Sequence, residues 1–227
     1  MSNRSLKFRL EDLPKLHPIT QNQARVSDHF KKGLNLSLSG CAGSGKTFWG
    51  LYLALEEVLD KNTRYDKIII VRSVVPTRDI GFLPGTEEEK LDAYTSPYRS
   101  IFAELFKDPE AWTKLVNQGA VEFLSTSFIR GITLSNCIIL VDEMQNLNFH
   151  ELDSVITRMG NDSRIIFCGD YYQSDFEKEK DKTGILQFLE ILDNMAYFEH
   201  ISFGFEDIVR SGIVREYIMT KEMMKGK

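Results

Sequence analysis

The segment LNLSLSGCAGSGKT, from Leu34 to Thr47, joins an apolar, strand-like run to a glycine-rich turn. It carries the spacing Gly-x-x-x-x-Gly-Lys-Thr from Gly40 onward, and a helical pattern follows over Phe48–Leu59. A buried strand, such a turn and a helix in this order are the context of a phosphate-binding P-loop. The segment therefore predicts a nucleotide-binding site. The alternative is an ordinary glycine-rich turn ahead of a helix.

Each residue type in this turn suits contact with phosphate. Gly43 and Gly45 can adopt positive φ and keep side chains away, so successive backbone N–H groups can converge on phosphate oxygens at a helix N-terminus. Lys46 would reach the β- and γ-phosphates, and Thr47 would offer its hydroxyl to Mg²⁺. The predicted nucleotide contacts all lie in or next to the turn: Gly40, Gly43, Ser44, Gly45, Lys46, Thr47 and Phe48.

A second strand with a polar end predicts the metal and water side of the site. In SNCIILVDEMQN, the apolar run Cys137–Val141 ends in Asp142 and Glu143, the Walker B arrangement. Asp142 can hold the Mg²⁺ shell, and Glu143 can orient or deprotonate the attacking water. Alternatively, the two acids cap a helix that begins near Asn148.

A third buried strand, within Ser163–Asp175, ends in Gly169 and Asp170, with Gln173 just beyond. Polar groups at the carboxyl ends of parallel strands lie at the ligand crevice. We therefore expect Gln173 to sense the γ-phosphate or to position water. The alternative is a plain loop.

The composition is that of one soluble globular domain over residues 1–227. Of the 227 residues, 42% are hydrophobic and 27% are charged, which suffices for a core without disulfides. No apolar run approaches the ~20 residues that cross a bilayer, and the N-terminus lacks the apolar core of a signal peptide. We expect a cytoplasmic protein without membrane contact, in the host cytoplasm for a virus-encoded chain, with three reduced core cysteines: Cys41, Cys137 and Cys168.

The net charge of −5 argues against a protein that coats nucleic acid through bulk electrostatics, since such domains carry a basic excess. A local basic groove remains compatible with it. The histidines are scattered without the spacing of a metal site, and we assign none of them to metal or base chemistry: His17, His29, His150 and His200.

Residues 1–33 are polar and form the predicted adenine side of the site. Within PITQNQ, Pro18–Gln23, glutamine amides stand just ahead of the first strand. An amide can donate and accept at once, and so match a ring nitrogen and the amino group of adenine. Alternatively, this is a helix N-terminus capped by Thr20 or Asn22, and both interpretations can hold together.

The remaining chain alternates strands with helices, which predicts a mainly parallel α/β sheet with helices on both faces. Between strands predicted at Lys67–Ser73 and Ala120–Leu124, residues 74–118 form an irregular loop and a helical insertion or lid. Its helices are predicted at Pro97–Phe106 and Pro109–Asn117, each with proline near its start. The last predicted elements are an exposed charged loop, a helix, a strand and an amphipathic helix: Phe176–Gly184, Ile185–Met195, Tyr197–Phe203 and Phe205–Lys225.

Segments from Pro18 to Ile218 resemble the phosphate-starvation-inducible PhoH-like family of P-loop ATPases. In order they are PITQNQ, GCAGSGKT, RSVVPTRDIGFLPG, FIRGITL, IILVDEMQN, FCGDYYQSD and DIVRSGIVREYI. The resemblance implies a RecA-like fold, similar to the first motor domain of superfamily 1 helicases, with ATP binding and hydrolysis. The chain departs from the family at Ser73, because a proline usually follows the arginine that matches Arg72, and it resembles a minimal ATPase core without an appended RNA-binding or nuclease domain.

The resemblance also implies roles for individual residues. Gln23 would contact adenine, while Lys46 and Thr47 would contact phosphate and Mg²⁺. Asp142 and Glu143 would serve the metal and the water, with Gln173 as sensor. The implied cofactors are ATP and Mg²⁺.

A superfamily 1 helicase places its nucleotide between two such domains, and an arginine of the second completes the site. With one domain, a motor would need a neighbouring subunit to supply that arginine in trans. We therefore expect a homo-oligomer, with a hexameric ring as one arrangement. Arg210 is the first candidate for this arginine finger, and Arg130 and Arg215 are the next candidates. Alternatively, Arg210 pairs with Asp207 or Glu206 on its own helix.

Three functions remain open. The first is an ATPase coupled to single-stranded nucleic acid, RNA rather than DNA, that remodels or unwinds it, with Arg72, Arg78 and Arg99 as phosphate contacts. The second is a module in which ATP switches assembly or partner binding. A small-molecule kinase is weaker, because Glu143 and the Gly-Asp-x-x-Gln element suit water as the nucleophile.

Overall fold

The computed structural model describes residues 8–74, 87–170 and 179–225. Its centre is a six-stranded sheet in which every neighbouring pair of strands is parallel. The strands are short and mostly buried, as strands covered on both faces must be. Their bounds are β1 Asn35–Gly40, β2 Lys67–Arg72, β3 Val121–Ser125, β4 Cys137–Val141, β5 Arg164–Cys168 and β6 Phe198–Phe203.

The strand order, β3-β2-β4-β5-β1-β6, places one strand between the glycine-rich turn and the acidic strand end. β1 leads into the turn, β4 ends at the two acids, and β5 pairs with both. The carboxyl ends of these three strands therefore open at one edge of the sheet, where a ligand crevice is expected.

Helices cover both faces of the sheet. Their bounds are α1 Gln21–Lys31, α2 Lys46–Leu59, α3 Glu87–Phe106, α4 Ala111–Asn117, α5 Phe149–Ile156, α6 Glu179–Asp193 and α7 Gly212–Lys225.

Successive residues of one strand enter two separate apolar cores. Ile68 and Ile70 pack with residues of α1 to α4, whereas Ile69 and Val71 pack with residues of α5 and α6. This is the period of two that a pleated strand imposes. The predicted mainly parallel α/β sheet with helices on both faces is confirmed.

The predicted start of the third helix is wrong. α3 begins at Glu87, ten residues before Pro97, which lies inside the helix. Tyr94, Tyr98 and Phe102 follow one another at helical spacing and are 7%, 0% and 0% exposed. Burial of this aromatic row outweighs the lost hydrogen bond that a proline costs in a helix interior.

The predicted charged loop at Phe176–Gly184 is wrong from Glu179 onward, because α6 begins there. Its apolar residues recur at helical spacing and are buried in the second core: Ile185, Phe188, Leu189 and Leu192. The charged residues thus lie in the first turns of an amphipathic helix.

The predicted helix over Phe205–Lys225 is interrupted. Phe205–Asp207 form a 3-10 turn, and α7 begins only at Gly212. Asp207 is 1% exposed and accepts hydrogen bonds from Asn22 Nδ2 at 2.7 Å and from Gly204 N at 2.9 Å. These bonds anchor the turn to α1, so the chain reaches Arg210 outside any helix.

None of the three cysteines, all of which lie within the described residues, forms a disulfide; Cys137 and Cys168 are buried, and Cys41 is half-buried. Burial raises the pKa of Cys137 to about 11, so it stays a neutral core residue. Across the described ranges, no helix has both the length and the apolar character needed to cross a bilayer.

Candidate nucleotide-binding site

The glycine-rich turn has the backbone that its glycines allow. Gly40, Gly43 and Gly45 have φ of +109°, +74° and +79°, a region that L side chains rarely adopt. A β-carbon on Gly40 would lie 2.1 Å from Phe203 O, so β6 also excludes a side chain there. α2 begins at Lys46 with Gly45 as its N-cap, and no side chain competes for the first N–H groups of the helix.

The Lys46 ammonium lies within the turn. Its Nζ donates to Gly40 O and Cys41 O, each at 2.7 Å, and to Ser44 Oγ at 3.3 Å. Burial lowers the pKa of Lys46, and negative charge nearby, including that of Asp170, opposes the shift. Three donors of one ammonium therefore converge on acceptors that a phosphate group would replace.

Thr47 and Asp142, which are 95 residues apart, meet at the carboxyl edge of the sheet. Thr47 Oγ1 donates to Asp142 Oδ1 at 2.7 Å, and Tyr98 OH donates to Asp142 Oδ2 at 2.9 Å. A hydroxyl and a carboxylate are hard oxygen ligands of the kind Mg²⁺ prefers, and Mg²⁺ usually completes its shell with waters and substrate phosphates. The donor set thus fits the predicted ion.

Glu143 is held in a left-handed backbone conformation, with φ of +51°. Gln145 Nε2 donates to Glu143 Oε2, and Gln145 Oε1 accepts from Asp170 N at 3.0 Å, which ties the glutamate to the end of β5. Burial raises the pKa of Glu143, and the negative charge of Asp142 raises it further. A carboxyl group with a raised pKa suits proton transfer near neutral pH.

Arg72 and Tyr98 are site residues that the sequence did not identify as such. Tyr98 is fully buried, and burial together with the charge of Asp142 raises its pKa well above the usual value, so its hydroxyl remains a donor. Arg72 is half-buried and interacts with Tyr98, Asp142 and Glu143. The arginine predicted to bind nucleic acid thus lies against the acids. The only feature of the sequence that indicated this position is that Arg72 stands at the end of a predicted strand.

A cavity of about 840 Å³ lies against the glycine-rich turn, Asp142 and Glu143. Its phosphate end is lined by the turn and the two acids. Its lining also includes apolar side chains from the N-terminal segment, α2 and α3: Leu16, Ile19, Phe48 and Ile101. Arg99 instead lines a separate cavity of about 460 Å³ and forms an ion pair with Asp92.

Gln23 is buried and supports the turn directly. Its Nε2 donates to Ser44 O at 3.2 Å, and its Oε1 accepts from Ile19 N at 2.9 Å. Thr20 Oγ1 accepts from Gln23 N at 3.2 Å, which confirms the alternative of a helix cap at Thr20. Contact between Gln23 and adenine stays a prediction.

Arg210 lies beside the glycine-rich turn of its own chain. Val209 N donates to Gly43 O at 3.0 Å, and Arg210 lines the same cavity as Lys46 and Glu143. No ion pair joins Arg210 to Asp207 or Glu206 in the part of the chain that the structure describes, so the predicted pairing on one helix is wrong.

The other arginines named as finger candidates, Arg130 and Arg215, are exposed and do not line this cavity. Gln173, Arg78 and the segment Gly81–Gly85 lie outside the described residues. The sensor role of Gln173 therefore stays a prediction.

Comparison with known proteins supplies one family. A family model described as PhoH-like protein matches residues 15–222. The chain is 30% identical to a PhoH-like protein of Mycobacterium leprae (strain TN) over 89% of this chain and 57% of that protein. It is 33% identical to a PhoH-like protein of Synechocystis sp. over 81% of this chain and 55% of that protein. It thus spans somewhat more than half the length of these relatives.

Among solved structures, a large terminase from a thermophilic bacteriophage, in complex with ADP, is similar in fold. The superposition covers 88% of this chain and 49% of the terminase chain, with a TM-score of 0.49 and 12% sequence identity. The superposition on unliganded Pif1 from Bacteroides sp. covers 87% of this chain and 43% of the Pif1 chain, with a TM-score of 0.43 and 13% identity.

Proposed function

Because this chain belongs to the PhoH-like protein family, we propose that it is a Mg²⁺-dependent ATPase that hydrolyses ATP at the glycine-rich turn. The observation that carries the proposal is the 2.7 Å hydrogen bond between Thr47 Oγ1 and Asp142 Oδ1. It brings the two hard oxygen ligands together at the N-terminus of a helix that favours phosphate.

The phosphate end would be held by this chain's own groups. Lys46 and the uncapped N–H groups of the turn would bind the β- and γ-phosphates, and Thr47 and Asp142 would hold Mg²⁺. Mg²⁺ bound there would neutralise phosphate charge. Gly40, Gly43, Ser44 and Gly45 would shape the cradle, and Phe48 would lie beside the nucleotide.

Glu143 is the proposed general base. Its carboxylate would take a proton from the attacking water, and its raised pKa makes it a stronger base than an ordinary glutamate. Gln145 holds the carboxylate by one oxygen. The other oxygen is the one we assign to the water.

The test is steady-state ADP release by the parent and by Glu143→Gln, together with binding of a fluorescent ATP analogue. We expect turnover to fall roughly 10²-fold or more, with binding preserved because the amide keeps the shape of the carboxylate. Glu190→Gln, on the exposed face of α6, is the matched control and should not change turnover. Parental turnover in Glu143→Gln would remove the glutamate from the mechanism.

We further propose that hydrolysis is coupled to single-stranded nucleic acid, RNA rather than DNA, in remodelling or unwinding. The motif resemblance supports this proposal, as does the bond from Tyr98 of α3 to Asp142, through which a ligand on the α3 side could act on the metal site. The placement of Arg72 against the acids and the Arg99–Asp92 ion pair remove two of the expected phosphate contacts.

The competing function is a module in which ATP switches assembly or partner binding. Turnover measured with single-stranded RNA, single-stranded DNA or neither, at two salt concentrations, separates the two functions. Stimulation that weakens with salt supports nucleic-acid coupling, because phosphate contacts release counterions. Turnover that depends on Glu143 but ignores both nucleic acids supports the switch.

The homo-oligomer, with a hexameric ring as one arrangement, and the cytoplasmic location stay predictions. The exposed apolar row on α7 supports self-association, because Ile213, Tyr217 and Met224 are 79%, 67% and 72% exposed and such rows are normally covered. Sedimentation velocity with and without ATP measures the oligomer number directly.

A further inference from the structure

Arg210 is placed on the glycine-rich turn by the backbone next to it. The hydrogen bond from Val209 N to Gly43 O is 3.0 Å long. A β-carbon on Gly43 would lie 2.8 Å from Arg210 Cγ and 3.7 Å from Arg210 Nε. The arginine side chain therefore runs along Gly43, and a β-carbon there would force it to shift.

The guanidinium has no carboxylate partner among the described residues, and the nearest acids in the sequence are engaged elsewhere. Asp207 is bound to Asn22 and to the backbone of Gly204. The Glu206 carboxylate also lies against Gly204, since a β-carbon there would be 2.4 Å from its Oε2. An exposed arginine without a partner, on the rim of a cavity that also contains Lys46, suits a phosphate ligand.

We propose that Arg210 is a catalytic residue that acts in cis, on the nucleotide of its own chain. This inference rests on the proposed ATPase activity and replaces the expectation of an arginine supplied by a neighbouring subunit. Its guanidinium donates to oxygens of the γ-phosphoryl group, where negative charge is redistributed during transfer. Each chain then contains a complete catalytic site.

The hydrolysis step balances with groups that this chain provides. The water oxygen forms a bond to the γ-phosphorus while the bond from that phosphorus to the β–γ bridging oxygen breaks. The electron pair of the broken bond stays on ADP, and the proton of the water passes to Glu143 and then to phosphate or solvent. Arg210 stabilises the charge without exchanging a proton, because a guanidinium stays charged.

The first test uses mixed chains. Arg210→Ala keeps the turn intact, and Lys46→Ala keeps Arg210; each variant alone should lose turnover, the first by roughly 10³-fold if it acts as arginine fingers do. The two are coexpressed with different tags, and assemblies that carry both tags are purified. An arginine in trans would restore turnover, because a Lys46→Ala chain lends Arg210 to an intact turn.

An arginine in cis leaves the mixed assemblies as inactive as the separate variants. Restored turnover would overturn the proposal, and so would parental turnover in Arg210→Ala. If the protein is a monomer, turnover per chain that is unchanged by dilution, together with loss in Arg210→Ala, supports action in cis. Lys31→Ala, at the exposed end of α1, also removes one positive charge and is the matched control.

The second test measures binding instead of turnover. Isothermal titration compares ADP alone with ADP plus aluminium fluoride and Mg²⁺, which together mimic the transferring phosphoryl group. We expect Arg210→Ala to weaken the aluminium fluoride complex roughly 10²-fold or more, since transition-state mimics lose more than ground-state ligands, while ADP binding stays within about threefold. Equal weakening of both ligands would mean a structural role and would overturn the proposal.

The two proposals fail in different ways. If the parent releases no ADP from ATP, the proposed function fails and this inference fails with it. If the parent hydrolyses ATP through Glu143 and Arg210→Ala does the same, only this inference fails. A thermal unfolding curve for each variant confirms that it is folded, and Arg210→Lys should recover part of the turnover, since lysine keeps the charge without the planar fork.

Discussion

Two groups of residues build the site, and they are recognised in different ways. The motif residues, Gly40–Thr47 with Asp142 and Glu143, stand in short segments with characteristic spacing. The supporting residues, Arg72, Tyr98, Gln145 and Arg210, are spread over four segments, and the fold brings them against the motif residues. Motif residues supply the atoms that bind the ligand, and supporting residues fix the positions of those atoms. A substitution in either group should therefore change the ATP turnover that depends on the other group.

Among the variants that test this comparison, the largest effect is expected where the two groups touch. Gly43→Ala adds a β-carbon 2.8 Å from Arg210 Cγ at a residue with φ of +74°. We expect turnover to fall roughly 10²-fold, because the alanine displaces the Arg210 side chain and catalytic arginines of P-loop NTPases contribute roughly 10³-fold or more to turnover. ADP release, measured against Arg210→Ala, reports the effect.

The matched control is Gly33→Ala. Gly33 has φ of +87° with nothing within 4 Å of its β-carbon position, so the backbone strain is comparable and should cost about 1–2 kcal/mol in each variant. Only Gly43→Ala should lose turnover. If Gly43→Ala acts through Arg210, combining the two substitutions costs no more than Arg210→Ala alone; additive losses would separate the two groups.

A smaller effect is expected from Tyr98→Phe, which tests whether a supporting residue positions the metal ligand. The change removes the 2.9 Å bond to Asp142 Oδ2 and keeps the aromatic packing against Trp112 and Phe123. A carboxylate free to rotate binds Mg²⁺ less well, so we expect the Mg²⁺ concentration for half-maximal turnover to rise about tenfold, in line with lost outer-shell partners.

Tyr94→Phe supplies the comparison on the same helix. Tyr94 OH donates to Val74 O at 3.2 Å, so this variant also loses one hydrogen bond, a partly buried one, at a cost of about 1 kcal/mol of unfolding free energy. Its Mg²⁺ dependence should match the parent. If the two variants require the same Mg²⁺ concentration for half-maximal turnover, Tyr98 does not position the metal ligand and serves only in core packing.

The motif residues could be predicted because their chemistry and their spacing are local. The turn, both acids and the order of strands and helices follow from periodicity within a dozen residues. Tyr98 could not be found this way: 44 residues separate it from Asp142, and only the pairing of β2 with β4 and the packing of α3 bring them together. The start of α3 was also predicted wrongly from Pro97, because burial of the aromatic row, and not the proline, determines where this helix begins.

Arg210 is a second example in which a contact between distant residues could not be predicted from local sequence. The sequence identified Arg210 as a candidate, but it predicted that the residue lies on a helix and acts on the nucleotide of a neighbouring subunit. The path of the backbone is set by Asp207, whose carboxylate is held by Asn22 from α1, 185 residues away. No local pattern contains that bond, so neither the break before α7 nor the position of the guanidinium could be foreseen.

The smallest effect concerns the pH dependence of Glu143, whose pKa is raised by burial and by Asp142 and lowered by the hydrogen bond from Gln145. Hydrolysis needs the carboxylate, so turnover should fall on the acid side at a higher pH than for an ordinary glutamate. Gln145→Leu removes a donor that stabilises the anion. The acid limb should therefore move to still higher pH.

A pH profile of turnover at saturating ATP, for the parent and for Gln145→Leu, checks this shift. Gln118→Leu, which removes a side chain that bonds to the backbone of Phe8, is the control and should leave the acid limb in place. An acid limb that moves to lower pH in Gln145→Leu would contradict the sign, because losing that donor can only favour the protonated carboxyl group. Since the amide also ties Glu143 to Asp170 N, a lower plateau with an unmoved limb would show that a supporting residue acts here through position alone.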